Sequence, residues 1–308
     1  MKNRIKRIGI LLLLSVLFGL MPGTAVFANS DGNGNSITLP ETEIGMKVGG
    51  TYQMKPKVTT ATGVSSELVY DIENPKIVSV DANGKVKALN YGRSGVAVCL
   101  KEHSNIYDIL WVNVEFKDVT NKKAYYYKGV YWAAEFGVTT GYTGKKTGYF
   151  GPDDPCTRAQ VVTFLWRFAG KPEINPSYYR DFSDVPEDSY YFKAVQWAAM
   201  NEITTGYSGT DLFGSDDACT REQFVTFLYR YWGEPHVDLS KLDFKDVKKS
   251  DYFAKAVVWA ATSGITTGYT DSHGKPTGKF GKGDIVTRGQ VATFLLRFYR
   301  YTNPYYPF

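Results

Sequence analysis

Residues Phe116 to Arg300 spell one module three times. Trp132-Ala133-Ala134 returns as Trp197-Ala198-Ala199 and Trp259-Ala260-Ala261. Thr139-Thr140-Gly141-Tyr142 returns as Thr204-Thr205-Gly206-Tyr207 and Thr266-Thr267-Gly268-Tyr269. Thr157-Arg158-Ala159-Gln160 returns as Thr220-Arg221-Glu222-Gln223 and Thr287-Arg288-Gly289-Gln290. The tryptophans stand 65 and 62 residues apart, the arginines 63 and 67. Units this short do not each bury a large core, so the copies are expected to pack on one another. Every special residue then occurs three times, which suits repeated ligand contacts better than a single reaction centre.

Each copy opens on Phe-x-Asp-Val: Phe116-Lys117-Asp118-Val119, Phe182-Ser183-Asp184-Val185 and Phe244-Lys245-Asp246-Val247. A first helix carrying Trp-Ala-Ala follows. Gly137 and Gly264 sit where a helix C-terminal glycine belongs, and the second copy has Asn201-Glu202 there. After a loop containing Phe-Gly, Thr157, Thr220 and Thr287 stand three residues before Gln160, Gln223 and Gln290. That spacing predicts a capping box at the start of a second helix. The pairs Cys156/Val161, Cys219/Phe224 and Val286/Val291 then form hydrophobic staples, and Val161, Phe164, Leu165 and Phe168 mark the buried helix face. Because Val286 replaces cysteine in the third copy, Cys156 and Cys219, like Cys99, read as buried free thiols, with a Cys156–Cys219 bridge as the alternative. The three tryptophans read as core.

The N-terminus reads differently. Lys2, Arg4, Lys6 and Arg7 precede an apolar run from Ile8 to Leu20, and Val26-Phe27-Ala28 fits the small-residue cleavage rule, so residues 1–28 read as an export signal. The run is shorter than the roughly 20 residues of a membrane span, and the mature chain is expected to have none. Removing four of the 36 basic residues and none of the 31 acidic ones leaves 32 against 31, so no basic stripe remains for a nucleic-acid partner. Residues 29–36, rich in Gly, Asn and Ser, read as a flexible leader. From Ile37 to about residue 115, short alternating runs separated by turns suggest a small β-sandwich, with Val78, Val80, Asn83-Gly84, Val86 and Ala88 forming a hairpin.

This stretch resembles the group 2 bacterial immunoglobulin-like domain, on Lys47-Val48-Gly49-Gly50-Thr51, Asn74 through Asp81, Gly84-Lys85-Val86, Gly92 through Val98 and Val112-Asn113-Val114, with Tyr70 where that family often has Trp. The resemblance implies a spacer or adhesion module. The ordered set Phe-x-Asp-Val, Trp-Ala-Ala, Gly-Tyr, Phe-Gly and Thr-Arg-x-Gln resembles the S-layer homology domain, in copies at 116–170, 182–234 and 244–300, with a C-terminal tail at 301–308. That resemblance implies a mainly α, pseudo-threefold assembly with a central three-helix bundle. It further implies non-covalent attachment to a secondary cell-wall polysaccharide of Gram-positive bacteria, often a sugar bearing a pyruvate ketal, on a secreted surface protein.

The arginine of the family's Thr-Arg-Ala-Glu motif falls on Arg158, Arg221 and Arg288, whose guanidinium matches a carboxylate-bearing sugar; the alternative role is to tie neighbouring lobes by bonding backbone carbonyls. Tyr142, Tyr207 and Tyr269 are the expected sugar-stacking residues, and Asp118, Asp184 and Asp246 either cap the start of each copy or face a groove. Gln replaces the family's Glu in all three copies. From Gly141, Gly206 and Gly268 to the next phenylalanine there are 9, 7 and 12 positions, so the three grooves are expected to be unequal. His103, His236 and His273 occupy no repeated position, and no nucleophile elbow, zinc motif or phosphate loop occurs. The expectation is a binding protein without cofactor, metal or catalytic centre. It is either anchored to the wall with the immunoglobulin-like domain outward, or a surface-layer scaffold joined to itself or another protein; a wall hydrolase is the remaining alternative.

Overall fold

Alternating apolar residues and turn signals produce the expected strands in the computed structural model, which describes residues 30–305. The predicted export signal and residues 306–308 lie outside that range. The chain divides into two compact units. The first runs through Thr120 and takes in Thr143–Gly148; the second comprises Asn121–Tyr142 and the chain from Tyr149 onward.

In the first unit, β1 (Ser36–Thr38) pairs with β4 (Lys57–Thr59), and β3 (Thr51–Gln53), β7 (Lys85–Ala88) and β6 (Val78–Val80) form a second sheet in that order. The largest sheet runs β2 (Glu43–Met46), β9 (His103–Val114), β8 (Gly92–Leu100), β5 (Leu68–Ile72). Only its β2–β9 pair is parallel among the ladders between named strands. Leu110, Val112 and Val114 are fully buried between half-buried neighbours, so the alternation marks the core face of β9, whereas in β8 Ala97 and Cys99 are buried along with Val96, Val98 and Leu100 and both faces are covered. The hairpin has Val78 opposite Ala88 and Val80 opposite Val86. Gly84 at its turn has φ +77, and a Cβ there would meet the Tyr70 hydroxyl at 2.5 Å, so two constraints demand glycine. The region read as a flexible leader is instead built into the fold. Asp31 accepts from the amides of Asn33 and Asn35 and from the Asn35 side chain, and buried Asn35 accepts from the Ala61 amide. Polar composition signalled a loop, but the same Asp and Asn side chains close it into a turn.

The second unit holds six α-helices among the described residues: α1 (Tyr127–Glu135), α2 (Arg158–Phe168), α3 (Phe192–Met200), α4 (Arg221–Tyr231), α5 (Ala254–Thr262) and α6 (Arg288–Thr302). All three capping boxes form, each Gln amide donating to the Thr oxygen and each Thr amide to Gln Oε1. Gln therefore performs the capping role of Glu. Gly137 and Gly264 have φ +67 and +71 at the first-helix ends, and Glu202 takes the same left-handed conformation at φ +59 in the copy lacking glycine. A non-glycine residue there is strained by about 1–2 kcal/mol.

The repeats interlock rather than stack. The first helix of each copy packs on the second helix of the preceding one: α3 on α2, α5 on α4, and α1 on α6. The second helices meet on a pseudo-threefold axis. At one end three backbone bonds form a ring, Cys219 N to Cys156 O at 2.9 Å, Val286 N to Cys219 O at 2.9 Å and Cys156 N to Val286 O at 3.0 Å. At the other end the equivalent rings of Phe168, Tyr231 and Phe298 touch pairwise, with centroids 5.6–6.2 Å apart. All six staple residues are buried, and the three cysteines are free and buried. Burial pushes the Cys156 thiol up to about 12 and Cys219 higher, so neither supplies thiolate near neutral pH.

The α1–α6 contact closes the ring and is unusually close. Gly129 stands where the other copies have Ala194 and Ala256, and a Cβ on it would lie 2.9 Å from the Thr293 N and Cα atoms. Those are backbone atoms of a packed helix and cannot swing aside. Gly129→Ala is expected to lose about 1–3 kcal/mol through overpacking. This loss should outweigh the roughly 1 kcal/mol that alanine gains in a helix interior. Urea unfolding at unchanged slope is the check.

Candidate functional site

The N-cap threonine places each arginine at the first helical position, where its side chain crosses to the next copy. Arg158 Nε donates to Phe213 O at 3.0 Å, Arg221 Nε to Phe280 O at 3.0 Å, and Arg288 Nε to Phe150 O at 2.7 Å. The series runs from copy one to two, two to three, and three back to one. Each guanidinium is boxed by three rings. For Arg288 these are Tyr142, Phe150 and Phe164, with Cζ 4.2, 4.9 and 5.3 Å from their centroids. Arg158 has Tyr207, Phe213 and Phe227, and Arg221 has Tyr269, Phe280 and Phe294, at similar distances. The arginines are 3%, 3% and 5% exposed. Among the described residues Nε is the only nitrogen of each guanidinium that bonds to protein, and none of the three is in an ion pair. A buried cationic fork is therefore left with donors for something outside the chain.

The other expected residues surround this fork. Tyr142, Tyr207 and Tyr269 are half-buried; their rings lie against the arginines and their hydroxyls bond Asp154, Asp217 and Asp284. Burial first, and the Asp154 bond second, push the Tyr142 phenol up to about 12. Asp184 accepts from the amides of Phe213, Gly214 and Ser215, and Asp246 from those of Phe280, Gly281 and Lys282. Burial raises both carboxyls, but these donors prevail and hold them below the usual range. Asp184 and Asp246 thus shape the Phe-Gly loops whose carbonyls receive the arginines. Asp118 is half-buried at the start of the first copy. Trp132, Trp197 and Trp259 are core residues.

Two sets of residues went unnoticed in the sequence. Asp154, Asp217 and Asp284 each stand three positions after a Phe-Gly glycine, and their carbonyls accept the amides of Arg288, Arg158 and Arg221 at 3.0, 2.9 and 2.9 Å. Tyr125, Tyr190 and Tyr252 each stand seven positions before a Trp-Ala-Ala tryptophan and are 55%, 63% and 70% exposed. Each sits edge-on to the next ring, centroids 5.0–5.1 Å apart. The charges of Arg167 and Arg288 act on Tyr190, those of Arg158 and Arg230 on Tyr252, and that of Arg221 on Tyr125. The equal offset from tryptophan was the available signal.

Each site thus draws on all three copies. Site 1 has Arg288, the Tyr142 loop and Tyr190; site 2 has Arg158, the Tyr207 loop and Tyr252; site 3 has Arg221, the Tyr269 loop and Tyr125. A cleft of about 290 Å³ beside Tyr252 is lined by Arg230, Glu234, Lys249 and Asp251 among others. No cluster of metal-ligating side chains occurs among the described residues, and no helix there is long and apolar enough to cross a membrane.

Comparison with known proteins matches the S-layer homology domain to residues 115–162, 181–225 and 243–292, and the bacterial Ig-like domain (group 2) to residues 35–107. The chain is similar to an endoglucanase of Bacillus sp. (strain KSM-635), 32% identical over 120 residues, covering 39% of this chain and 12% of that protein. It is similar to a cell surface protein of Thermoanaerobacter kivui, 31% identical over 120 residues, covering 38% of this chain and 15% of that protein.

Proposed function

We propose that this chain, which carries three S-layer homology repeats after a group 2 bacterial immunoglobulin-like domain, is a non-catalytic surface protein held to an anionic secondary cell-wall polymer by its repeats. The observation carrying this reading is the threefold buried guanidinium whose terminal nitrogens bond nothing in the described protein. None of these nitrogens is among the buried atoms without a partner, so they face solvent, where a carboxylate or ketal-borne pyruvate supplies two parallel acceptors. The exposed tyrosine beside each fork offers an amphipathic ring for the sugar. In this reading Arg158, Arg221 and Arg288 meet the anion. Tyr142, Tyr207, Tyr269, Asp184 and Asp246 hold the forks and loops in place. Sites on one polymer reinforce each other through effective concentration.

The immunoglobulin-like domain is the displayed part, as a spacer or a contact for a protein partner or a second copy. The cell surface protein of T. kivui is consistent with this placement. Hydrolysis of wall polymer by the chain, abolished by one Asp or Glu substitution, is the result that would replace it with an enzymatic reading.

Co-sedimentation with Gram-positive sacculi, native and stripped of secondary polymer, tests the proposal. The chain is expected to pellet with native walls only. Tyr125, Tyr190 and Tyr252 are exposed, so replacing all three by alanine should leave the fold intact while raising the half-saturating sacculus concentration about tenfold or more. Equal pelleting with stripped walls, or an unmoved midpoint for the tyrosine variant, would count against it.

A further inference from the structure

The three sites share a fork and a tyrosine, but their walls differ in charge. At the second helical position, one residue after each arginine in sequence, the copies carry Ala159, Glu222 and Gly289. Glu222, 8% exposed, belongs to site 2: its charge acts on Tyr252, and its Oε2 accepts from the Gly283 amide at 3.0 Å. Next to Tyr252, Asp251 holds Lys282 Nζ at 2.9 Å, so that lysine's charge is already matched. The corresponding pairs are Ser189 with Ser215 in site 1 and Ala124 with Pro152 in site 3.

We infer that site 2 is closed to the anionic ligand by its own Glu222 carboxylate, and that sites 1 and 3 do the binding. The inference rests on the anchoring role proposed above. On the wall of site 2 that carries Tyr252, a fixed negative charge offsets the attraction of the Arg158 fork, whereas the corresponding positions in sites 1 and 3 hold Ala159 and Gly289. It also occupies the loop amide of Gly283, whereas the equivalent amides of Asp153 and Asp216 face no such carboxylate. The difference is one of charge, so removing the charge opens the site.

The test uses the full chain with fluorine-labelled tyrosine, titrated with acidic oligosaccharides released from the sacculi that sediment it. Tyr125 and Tyr190 resonances are expected to shift, with Tyr252 unmoved at concentrations saturating the others. In Glu222→Gln, which keeps the bond to Gly283 and loses the charge, Tyr252 should titrate alongside Tyr190. Glu222→Ala should behave alike, and unchanged far-ultraviolet dichroism in both variants checks the fold. Tyr252 moving with the same midpoint as Tyr190 in the parent overturns the inference, as does a silent Tyr252 in both variants. If no tyrosine moves while native sacculi still sediment the chain, the anchoring site lies elsewhere and the groove reading falls with it.

Discussion

Arg288→Ala is expected to lower the unfolding free energy of the helical unit by about 3 kcal/mol. The substitution removes a buried charged donor from Phe150 O at 2.7 Å. Such a bond contributes about 1.5–3 kcal/mol. Three ring contacts at 4.2–5.3 Å are lost as well. Release of a partly solvated cation from burial offsets some of this, which keeps the net near the lower end. For a unit of this size the midpoint should fall by about 6–12 °C, read by scanning calorimetry. Tyr190→Ala, at an exposed ring, should shift it by no more than about 2 °C. A change of similar small size for Arg288→Ala would show that the inter-copy clamp holds nothing. Loss of wall binding by arginine variants therefore mixes unfolding with lost contacts, and the exposed tyrosines are the cleaner probes of the ligand.

Much of this was written in local chemistry that needs few neighbours. Capping boxes form from residues three apart, and the Asn83-Gly84 hairpin forms from alternation around a turn, so both were visible in the chain. The tryptophans and paired cysteines were legible as core because a repeated position shows what it tolerates. What escaped notice depends on closure between copies. Nothing near Arg158 in sequence points to Phe213, 55 positions away, and nothing near Arg288 points to Phe150, 138 positions away. Asp154, Asp217 and Asp284 carry no local signal, because their acceptors serve a tyrosine and an arginine that the ring brings to them. Tyr142, Tyr207 and Tyr269 were expected to face a sugar from their place after glycine. Their rings lie half-buried against arginines that arrive from another copy, and the more exposed rings are Tyr125, Tyr190 and Tyr252.

Ending the chain at residue 242, which keeps two whole repeats, is expected to abolish cooperative unfolding of the helical unit rather than cost a third of its stability. In a linear array, losing an end copy removes one interface. Here it removes two. α1 loses α6, including the contact of Trp132 with Tyr299 at 5.4 Å, and α4 loses α5, including that of Tyr229 with Trp259 at 5.6 Å. The axis loses Val286 from the backbone ring and Phe298 from the aromatic triad. Of the three inter-copy helix pairs only α2–α3 survives, and one pair of helices of 11 and 9 residues is too short to hold itself in water. The truncated chain should show no sharp thermal transition from its helices and should exchange the α1 and α4 amides within minutes, while the β8–β9 ladder stays protected. Adding residues 243–308 as a separate chain should restore protection, because the contacts that close the ring need no covalent link between copies two and three. A truncated chain that melts in one transition with protected α1 amides would mean that each pair of copies is self-sufficient, and that the ring is an ornament on a linear array.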